Sequence, residues 1–375
     1  MQQPSIEETS WKTIGSLQIK ELIVPNYHKV IEAIDKDCGL HAIIAVHDLT
    51  MGPALGGTRM YPYPNREAAL TDVLRLSEGM TYKSAVAEVG FGGGKSVIIG
   101  NSKTQKTESL LRAFGKAVDS LEGIYICAED MGTTPSDMSV IRESTPFVAG
   151  LPMQSHSSGD PSRFTAWGVY KGLQSVAYKL WGSTSLEGKS IAIQGVGHVG
   201  ALLAEHLFWS GAKLIFSDID ESKALALAHY YRGQFVNNDQ IYAAEYDIFC
   251  PCAIGGILNE KTINQLRCQA VAGAANNQLL TAQDCDRLKD KGIYYAPDFV
   301  INSGGVINVA CEMSKEGYQP HYALDLTNKI YDHLLTIFDQ SEGTGTNTHK
   351  TACDLALHKL KHQIGKRDGK PHFHH

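Results

Sequence analysis

The chain has 375 residues, 43% hydrophobic and 20% charged, the make-up of a globular protein too long for one hydrophobic core, so two domains are expected. A net charge of -6 argues against nucleic acid as a partner, because phosphate recognition needs a basic face. No apolar run reaches membrane-spanning length, and Met1-Gln-Gln-Pro-Ser-Ile-Glu-Glu has neither a basic nor an apolar leader segment, so no membrane association and a cytoplasmic location are expected. The cysteines at 38, 127, 250, 252, 268, 285, 311 and 353 include no Cys-x-x-Cys pair and read as reduced thiols, several inside apolar runs. No spaced His/Cys set resembles a zinc site, so no metal is expected. The polar, glycine-flanked tail His372-Phe-His374-His375 reads as disordered.

In chain order, Ala42-Ile-Ile-Ala-Val46 reads as a buried strand and Glu67 to Glu78 as an amphipathic helix. Two lysines follow, in Gly79-Met-Thr-Tyr-Lys83 and Gly92-Gly-Gly-Lys95, each read as standing behind a glycine-bearing turn. Their neighbours Tyr82, Ala85, Val86, Ala87, Val89 and Phe91 are not those of a solvated face. Two ammonium groups among small and apolar residues suggest a partly desolvated anion site. Burial and a second cation both lower a lysine pKa, so one lysine can hold a carboxylate while the other serves as a base. A phosphate-cradling loop ending at Lys95-Ser96 would need glycine at position 89, where Val89 stands. The plain structural alternative is a glycine-rich turn before the strand Ser96-Val-Ile-Ile99, with both lysines snorkelling to solvent. A helix over Glu108 to Leu121 and a strand Ile124-Tyr-Ile-Cys127 come next. Asp130 falls just past that strand's carboxyl end, on a loop leading to a helix near Pro135, where α/β sheets build their sites.

Pro152 to Ser162 is polar and turn-rich, the best linker in the chain. Residues 1–150 are therefore expected to form one domain and 151–330 a second. A helix over Phe164 to Leu180 enters strand-helix alternation with strands Ser190-Gln194, Lys213-Ser217, Asp247-Cys250, Ala270-Ala272 and Ile293-Ala296, which implies a parallel sheet. Helices follow over Val306 to Ser314, Leu324 to Ser341 and Thr351 to Ile364. The last two, in about 330–375, are expected to pack back on the first domain.

Gly195-Val196-Gly197-His198-Val199-Gly200 lies between the Ser190 strand and a helical pattern. Gly195 permits the tight turn, Gly197 lets backbone approach a pyrophosphate, and Gly200 allows close helix-strand packing. The pyrophosphate then meets unsatisfied N–H groups at the helix N-terminus. Asp218 ends the next strand, where a carboxylate accepts from ribose hydroxyls and repels a 2′-phosphate. Ile219, Asp220 and Glu221 follow it with no arginine, which favours NAD over NADP. The alternative for Asp218 is a simple helix N-cap.

Together these features resemble the Glu/Leu/Phe/Val amino-acid dehydrogenases, and most closely the leucine-specific branch, over about residues 20–340. The likeness is carried by Gly52-Pro-Ala-Leu-Gly-Gly-Thr-Arg59, Gly79 to Lys83, Gly92 to Lys95, Glu129-Asp-Met-Gly-Thr133, Ser158-Gly-Asp-Pro161, Gly273-Ala-Ala-Asn-Asn-Gln278 and Tyr295 to Val306. It implies a fold of an N-terminal α/β substrate and assembly domain plus a Rossmann-type, doubly wound NAD-binding domain, with the active site in the cleft between them. By the same resemblance Lys83 holds the substrate α-carboxylate, Lys95 is the catalytic lysine, and Asp130 shuttles protons to and from the amino group. Gly56, Gly57 and Met80 contact the substrate; Leu55, Ala128, Val306 and Val309 surround its side chain. Asn302 bridges cofactor and substrate amine. Thr165, Cys252, Ala253, Ala275 and Asn276 join the glycine loop, Asp218 and Ile219 around the cofactor.

The chain departs from the family pattern at Ser155 to Asp160, at Arg163, at Met131 and in the Gly343 to Thr348 loop. The reaction implied is NAD-dependent, reversible oxidative deamination of an L-amino acid to the 2-oxo acid and ammonia, by a homo-oligomer. Leu55, Ala128, Val306 and Val309 offer no cation for a side-chain carboxylate, so a branched aliphatic substrate is expected: leucine, valine or isoleucine. The alternatives are a phenylalanine or valine dehydrogenase and, in another class, an inactive NAD-binding regulatory homologue.

Overall fold

The structure, a computed structural model, describes residues 6–153 and 157–374. Part of the leader reading at 1–8, part of the linker reading at 152–162 and the final histidine lie outside them. Two compact units are present. In the first, β1 (Glu7–Glu8), β2 (Lys12–Ile14), β3 (Leu17–Ile23), β4 (Lys29–Asp35), β5 (Leu40–Asp48) and β6 (Ala54–Tyr61) precede α1 (Arg66–Ala87). There follow β7 (Gly92–Ile99), α2 (Glu108–Asp119), β8 (Tyr125–Glu129) and α3 (Pro135–Arg142). Among the described residues they make an eight-stranded sheet of order β1-β3-β4-β5-β7-β6-β8, with β2 paired to β3.

Strands β3, β4, β5 and β7 pair antiparallel in sequence, while β6 runs parallel to both β7 and β8. Side chains alternate across a strand, and β5 is apolar on both faces. Ala42, Ile44 and Val46 meet Leu110, Phe114 and Val118 of α2 and Ile141 of α3. Ile43 and Ala45 meet Ala69, Leu70 and Val73 of α1.

The glycine-bearing lysine segments are not turns. Gly79 to Lys83 continue α1, which runs on to Ala87 because Ser77, Thr81 and Ala85 carry a buried stripe of small residues at helical spacing. Gly92, Gly93 and Gly94 lie inside β7, and their glycine identity is a matter of space. A Cβ on Gly92 would stand 2.0 Å from Asp48 O, on Gly93 2.1 Å from Thr81 Oγ1, and on Gly94 2.7 Å from the Tyr125 ring.

The second unit begins with α4 (Ser162–Trp181), β9 (Ser190–Gln194), α5 (His198–Trp209), β10 (Lys213–Ser217), α6 (Glu221–Tyr230) and β11 (Gln234–Phe235). It continues with β12 (Ile248–Pro251), α7 (Glu260–Gln265), β13 (Ala270–Val271), α8 (Gln283–Asp290), β14 (Tyr294–Tyr295) and α9 (Asp298–Ile301). The remaining helices are α10 (Gly304–Cys311), α11 (Pro320–Asn328), α12 (Ile330–Thr344) and α13 (Thr348–His362). Its six strands are all parallel, in the order β11-β10-β9-β12-β13-β14. The strand order reverses beside β9, which puts the switch point of a doubly wound sheet at the carboxyl end of β9.

The expected division needs correction. The first unit runs to Asp160, not to 150, and regains Val309–Pro320; the second takes Pro161–Asn308 and His321–His358. Residues beyond 150 stay with the first unit because buried Glu312 accepts from Gly150 N at 2.9 Å and Ser158 N at 2.8 Å. The expected long helix over Leu324 to Ser341 is two helices broken at Lys329, α11 and α12. Nor do the terminal helices as a whole return to the first unit. Helix α12 buries Leu334 against Gly172 of α4, within the second unit, and only the chain from Lys359 onward rejoins the first. The tail is packed, not disordered, through its described residues. His372 N donates to Met313 O at 3.2 Å, and the Phe373 ring meets Phe147 edge-on at 5.8 Å.

Candidate active site

Lys95 stands in mid-strand on β7, its side chain only 8% exposed, and its Nζ lies 2.9 Å from Oδ2 of Asp130. Burial pushes the Lys95 ammonium below its ordinary pKa; Arg59 adds to that and Asp130 opposes it. Burial alone would raise the Asp130 carboxyl, but Lys95 and Arg59 together hold it well below the usual carboxylate range. The loop carrying Asp130 is stitched to β6. Asp130 N donates to Thr133 Oγ1, whose hydroxyl donates to Thr58 O at 2.8 Å, and Met60 N donates to Met131 O at 2.9 Å. Gly132 is obligatory there: its φ is +83° and a Cβ would stand 2.1 Å from Met60 O.

Sequence reasoning gave Arg59 no role, although it closes one of the motifs quoted above. Its Nε donates to Asp130 Oδ2 at 3.0 Å and its Nη1 to Asp72 Oδ2 at 3.0 Å, while the Tyr63 hydroxyl donates to the same Asp72 oxygen. One guanidinium thus fixes the catalytic candidate against a second carboxylate, which its planar fork suits and a lysine would not. The usable signal was an arginine inside an otherwise buried strand.

Leu55, Gly57 and Arg59 alternate onto one face of β6. Leu55 is in register with Gly93 of β7 and Ile126 of β8, and Gly57 with Ala128. A Cβ on Gly57 would stand 2.7 Å from Asp130 Cβ and 3.1 Å from Lys95 Nζ, and one on Gly56 would stand 1.7 Å from Gly94 O. Glycine at 57 is thus what leaves room beside the lysine. The strand register is held by buried polar groups: Tyr125 OH donates to Gly56 O at 2.9 Å, and Ser96 Oγ bonds both Thr58 Oγ1 and Tyr125 OH. Met80 and Lys83 lie half-buried in the last turns of α1, whose Thr81 packs on Gly93. Leu55, Ala128 and Val309 are all buried residues of the first unit.

Beside this pair lie groups that sequence reasoning also missed. Burial, together with the carboxylates of Asp160, Asp130 and Glu312, pushes the Glu129 carboxyl up to about 7. Glu312 is itself raised by burial, against the hydrogen bonds it accepts from Ser158 and Gly150.

The second unit holds the glycine loop, Asn302 and the other cofactor candidates, and with them Val306, which was expected at the substrate side chain. Gly195 has φ +98°, and a Cβ there would stand 2.7 Å from Ala253 Cβ; one on Gly200 would stand 2.1 Å from Gly195 O. A Cβ on Gly197, by contrast, would meet nothing within 4 Å. Gly197 is the N-cap of α5 and no side chain caps that helix, so the first turn of α5, which begins at His198-Val199, can present backbone N–H groups to an anion. Asp218 accepts from Val196 N at 2.7 Å and Asp220 N at 2.9 Å, which leaves acceptor capacity on both oxygens. It is not the cap of α6; Asp220 holds that position. Ile219 beside it is 90% exposed.

Across the loop, Cys252 N donates to Gln194 O and Ala275 N to Pro251 O. Asn302 Nδ2 donates to Asn276 Oδ1 and Ala274 O, while its Oδ1 is buried with no hydrogen-bond partner. Thr165 sits where a Cβ on Gly305 would come within 2.6 Å of its hydroxyl. An open glycine face, a helix N-terminus that no side chain caps, a carboxylate with spare acceptor sites and an orphaned buried carbonyl fit a dinucleotide.

The fold and these two sets of residues define a dehydrogenase built from a substrate unit and a nicotinamide-cofactor unit. Residues 26–147 match the Glu/Leu/Phe/Val dehydrogenase dimerisation domain, and residues 216–364 match the Glutamate/Leucine/Phenylalanine/Valine dehydrogenase family. The chain belongs to that family and is an amino-acid dehydrogenase using a nicotinamide cofactor. It is 46% identical to a leucine dehydrogenase of Thermoactinomyces intermedius over 336 residues, 90% of this chain and 91% of that one. It is also 47% identical to a phenylalanine dehydrogenase of Lysinibacillus sphaericus over 323 residues, 85% of this chain and 84% of that one. The crystal structure of L-tryptophan dehydrogenase from Nostoc punctiforme superposes with a TM-score of 0.77 at 42% identity, covering 92% of this chain and 98% of that one.

Proposed function

We propose that the enzyme catalyses NAD-dependent, reversible oxidative deamination of a branched-chain aliphatic L-amino acid, leucine foremost, to its 2-oxo acid and ammonia. The observation that carries this reading is the buried Lys95–Asp130 pair at 2.9 Å, in a substrate unit whose candidate pocket residues Leu55, Ala128 and Val309 are apolar. Lys83 holds the substrate α-carboxylate. A bound nicotinamide cofactor supplies the acceptor for the Cα hydride. Lys95, whose burial favours its neutral form, takes a proton from the water that attacks the imino carbon. Asp130, kept anionic and oriented by Arg59, carries protons to and from the amino nitrogen as the carbinolamine collapses.

Asn302, Thr165, Asn276 and the glycine loop would hold the cofactor, and Asp218 without a following arginine favours NAD over NADP. The exposed Trp11 just before β2, Ile14 on β2 and Ile23 at the end of β3, 40%, 53% and 51% accessible, support assembly into a homo-oligomer. The location proposed is the cytoplasm.

A second reading, an aromatic L-amino acid as substrate, is favoured by the phenylalanine and tryptophan dehydrogenases among the relatives. Leu55 in the pocket stands against it. Initial rates of NADH formation with leucine, valine, isoleucine, phenylalanine, tryptophan and glutamate decide between them. The proposal expects the highest kcat/KM for leucine or another branched aliphatic substrate. An aromatic substrate in first place would replace it with the second reading.

A further inference from the structure

The tail of the chain from Lys359 returns to the first unit and touches the segments that carry the substrate residues. Lys359, its side chain 8% exposed, donates to Val86 O at 2.9 Å and pairs with Glu88 Oε1 at 2.7 Å, at the end of α1. Gly365, at φ +81°, lies so close that a Cβ would stand 2.7 Å from Glu88 Cβ. Arg367 then joins three places at once. Its backbone N–H donates to Met51 O at 3.0 Å, its Nε to Gly90 O at 3.3 Å and its Nη1 to Met313 O at 3.1 Å. Its guanidinium also lies over the fully buried Phe91 ring, 4.2 Å from the centroid.

Each of these carbonyls leads directly into substrate machinery. Met51 opens the turn into β6, with Leu55 to Gly57. Gly90 sits between the end of α1, with Lys83, and β7, with Lys95. Met313 follows α10, with Val309, and adjoins Glu312. The docking is by backbone as well as side chain: a Cβ on Gly90 would stand 3.0 Å from Arg367 Cβ, and one on Gly52 2.5 Å from Gly90 O. Beyond it, His372 N donates to Met313 O and the His374 ring bonds Ser314 O, so the strap is held on both sides of the arginine.

A planar guanidinium that donates in two directions while stacking on a ring can hold two loop carbonyls at a set separation; a single ammonium cannot. The turns at Met51 and Gly90, which already meet through Gly92 N donating to Pro53 O at 2.9 Å, are thereby tied together with the segment at Met313 to one rigid group. We infer that Arg367 is a positioning residue for the amino-acid substrate, setting the mutual placement of the segments that flank β6 with Leu55, β7 with Lys95 and α10 with Val309. This rests on the function proposed above and adds a determinant of substrate choice remote in sequence from every residue that touches the substrate.

Arg367→Ala is the direct test, on the full-length enzyme. Loosening of near-attack geometry is expected to lower kcat/KM for the amino acid between about 10- and 100-fold. It should also narrow the discrimination between leucine, valine and phenylalanine. NADH affinity, from fluorescence titration, should stay unchanged, because the cofactor residues lie in the other unit. Millimolar guanidinium ion should restore part of the lost rate in this variant and none in an Arg163→Ala control. Arg367→Lys, which keeps the charge and the backbone bond to Met51 O, is expected to fold and to show a smaller loss with the same change in discrimination.

Unchanged kcat/KM and discrimination in either folded variant overturns the inference. So does a loss matched by equal weakening of NADH binding, which would report general loosening. Should the native enzyme prefer an aromatic substrate, the aliphatic reading fails while the Arg367 test proceeds on that substrate.

Discussion

Replacing Arg59 by methionine removes one of the two cations on Asp130 while keeping an unbranched side chain of similar reach. Lys95 Nζ and Arg59 Nε both bond Asp130 Oδ2, at 2.9 and 3.0 Å, so they stand less than about 6 Å apart. At an effective dielectric constant of about 20, two unit charges at that range repel by roughly 3 kcal/mol, or about two pKa units. The spread of the guanidinium charge and its residual exposure reduce the expected effect to about one to two units. The sign follows from the charges. A neighbouring cation lowers a lysine pKa, so its removal raises that of Lys95, and the neutral lysine becomes available only at higher pH. The pH profile of kcat for amino-acid oxidation should therefore keep its shape with its rising limb displaced by that amount toward alkaline pH. Leaving Asp72 and Asp130 short of a partner also costs about 3 kcal/mol or more in stability, so thermal unfolding must be recorded alongside. Arg59→Lys, which restores a charge without the fork, should recover most of the displacement. A folded Arg59→Met enzyme whose limb is unmoved, or moves to lower pH, would refute the reasoning.

Three further outcomes are expected. Asp218→Asn with Ile219→Arg should raise the NADP-to-NAD ratio of kcat/KM by removing a repulsive carboxylate and adding a cation at a 90% exposed position; an unchanged ratio would deny Asp218 its part in cofactor choice. Leu55→Ala should shift kcat/KM from leucine toward phenylalanine while costing about 2–5 kcal/mol of stability, since Leu55 is buried inside β6; parallel rates with both substrates check it, and a fixed ratio counts against the aliphatic pocket. Because the folded-state pKa of Glu129 is raised to about 7 from an ordinary 4.5, its contribution to stability falls as pH climbs through that window. Glu129→Gln should therefore raise Tm by a few degrees at about pH 8 and much less at about pH 5, and equal shifts at both would contradict the assignment.

How far the sequence was legible follows the physics of each segment. Strands β9 and β10 coincide with the expected Ser190-Gln194 and Lys213-Ser217, because buried parallel strands are short apolar runs bounded by glycine or charge. The glycine-rich lysine segments misled because glycine was read as a signal for turning; here it marks backbone packed against Thr81, Asp48 and Tyr125. The N-terminal strands β3 and β4 were missed because charged residues interrupt their apolar pattern. Glu32 on β4, 1% exposed, is buried through Lys20, Arg66 and His41, and no periodicity of apolar residues announces an ion-paired strand. Lys83, Lys95 and Asp130 could be named from motifs, since each motif is local. Arg59 on Asp130, Glu312 on Gly150 and Arg367 on three carbonyls could not, because each joins segments distant in sequence.

The central claim is that Lys95 performs proton chemistry on the amino-acid substrate and takes no part in holding the cofactor. Lys95→Ala should bind NADH with native affinity and lose nearly all turnover of leucine in both directions, with its unfolding transition intact. Near-native turnover by that folded variant, or a loss explained wholly by weakened NADH binding, would contradict it.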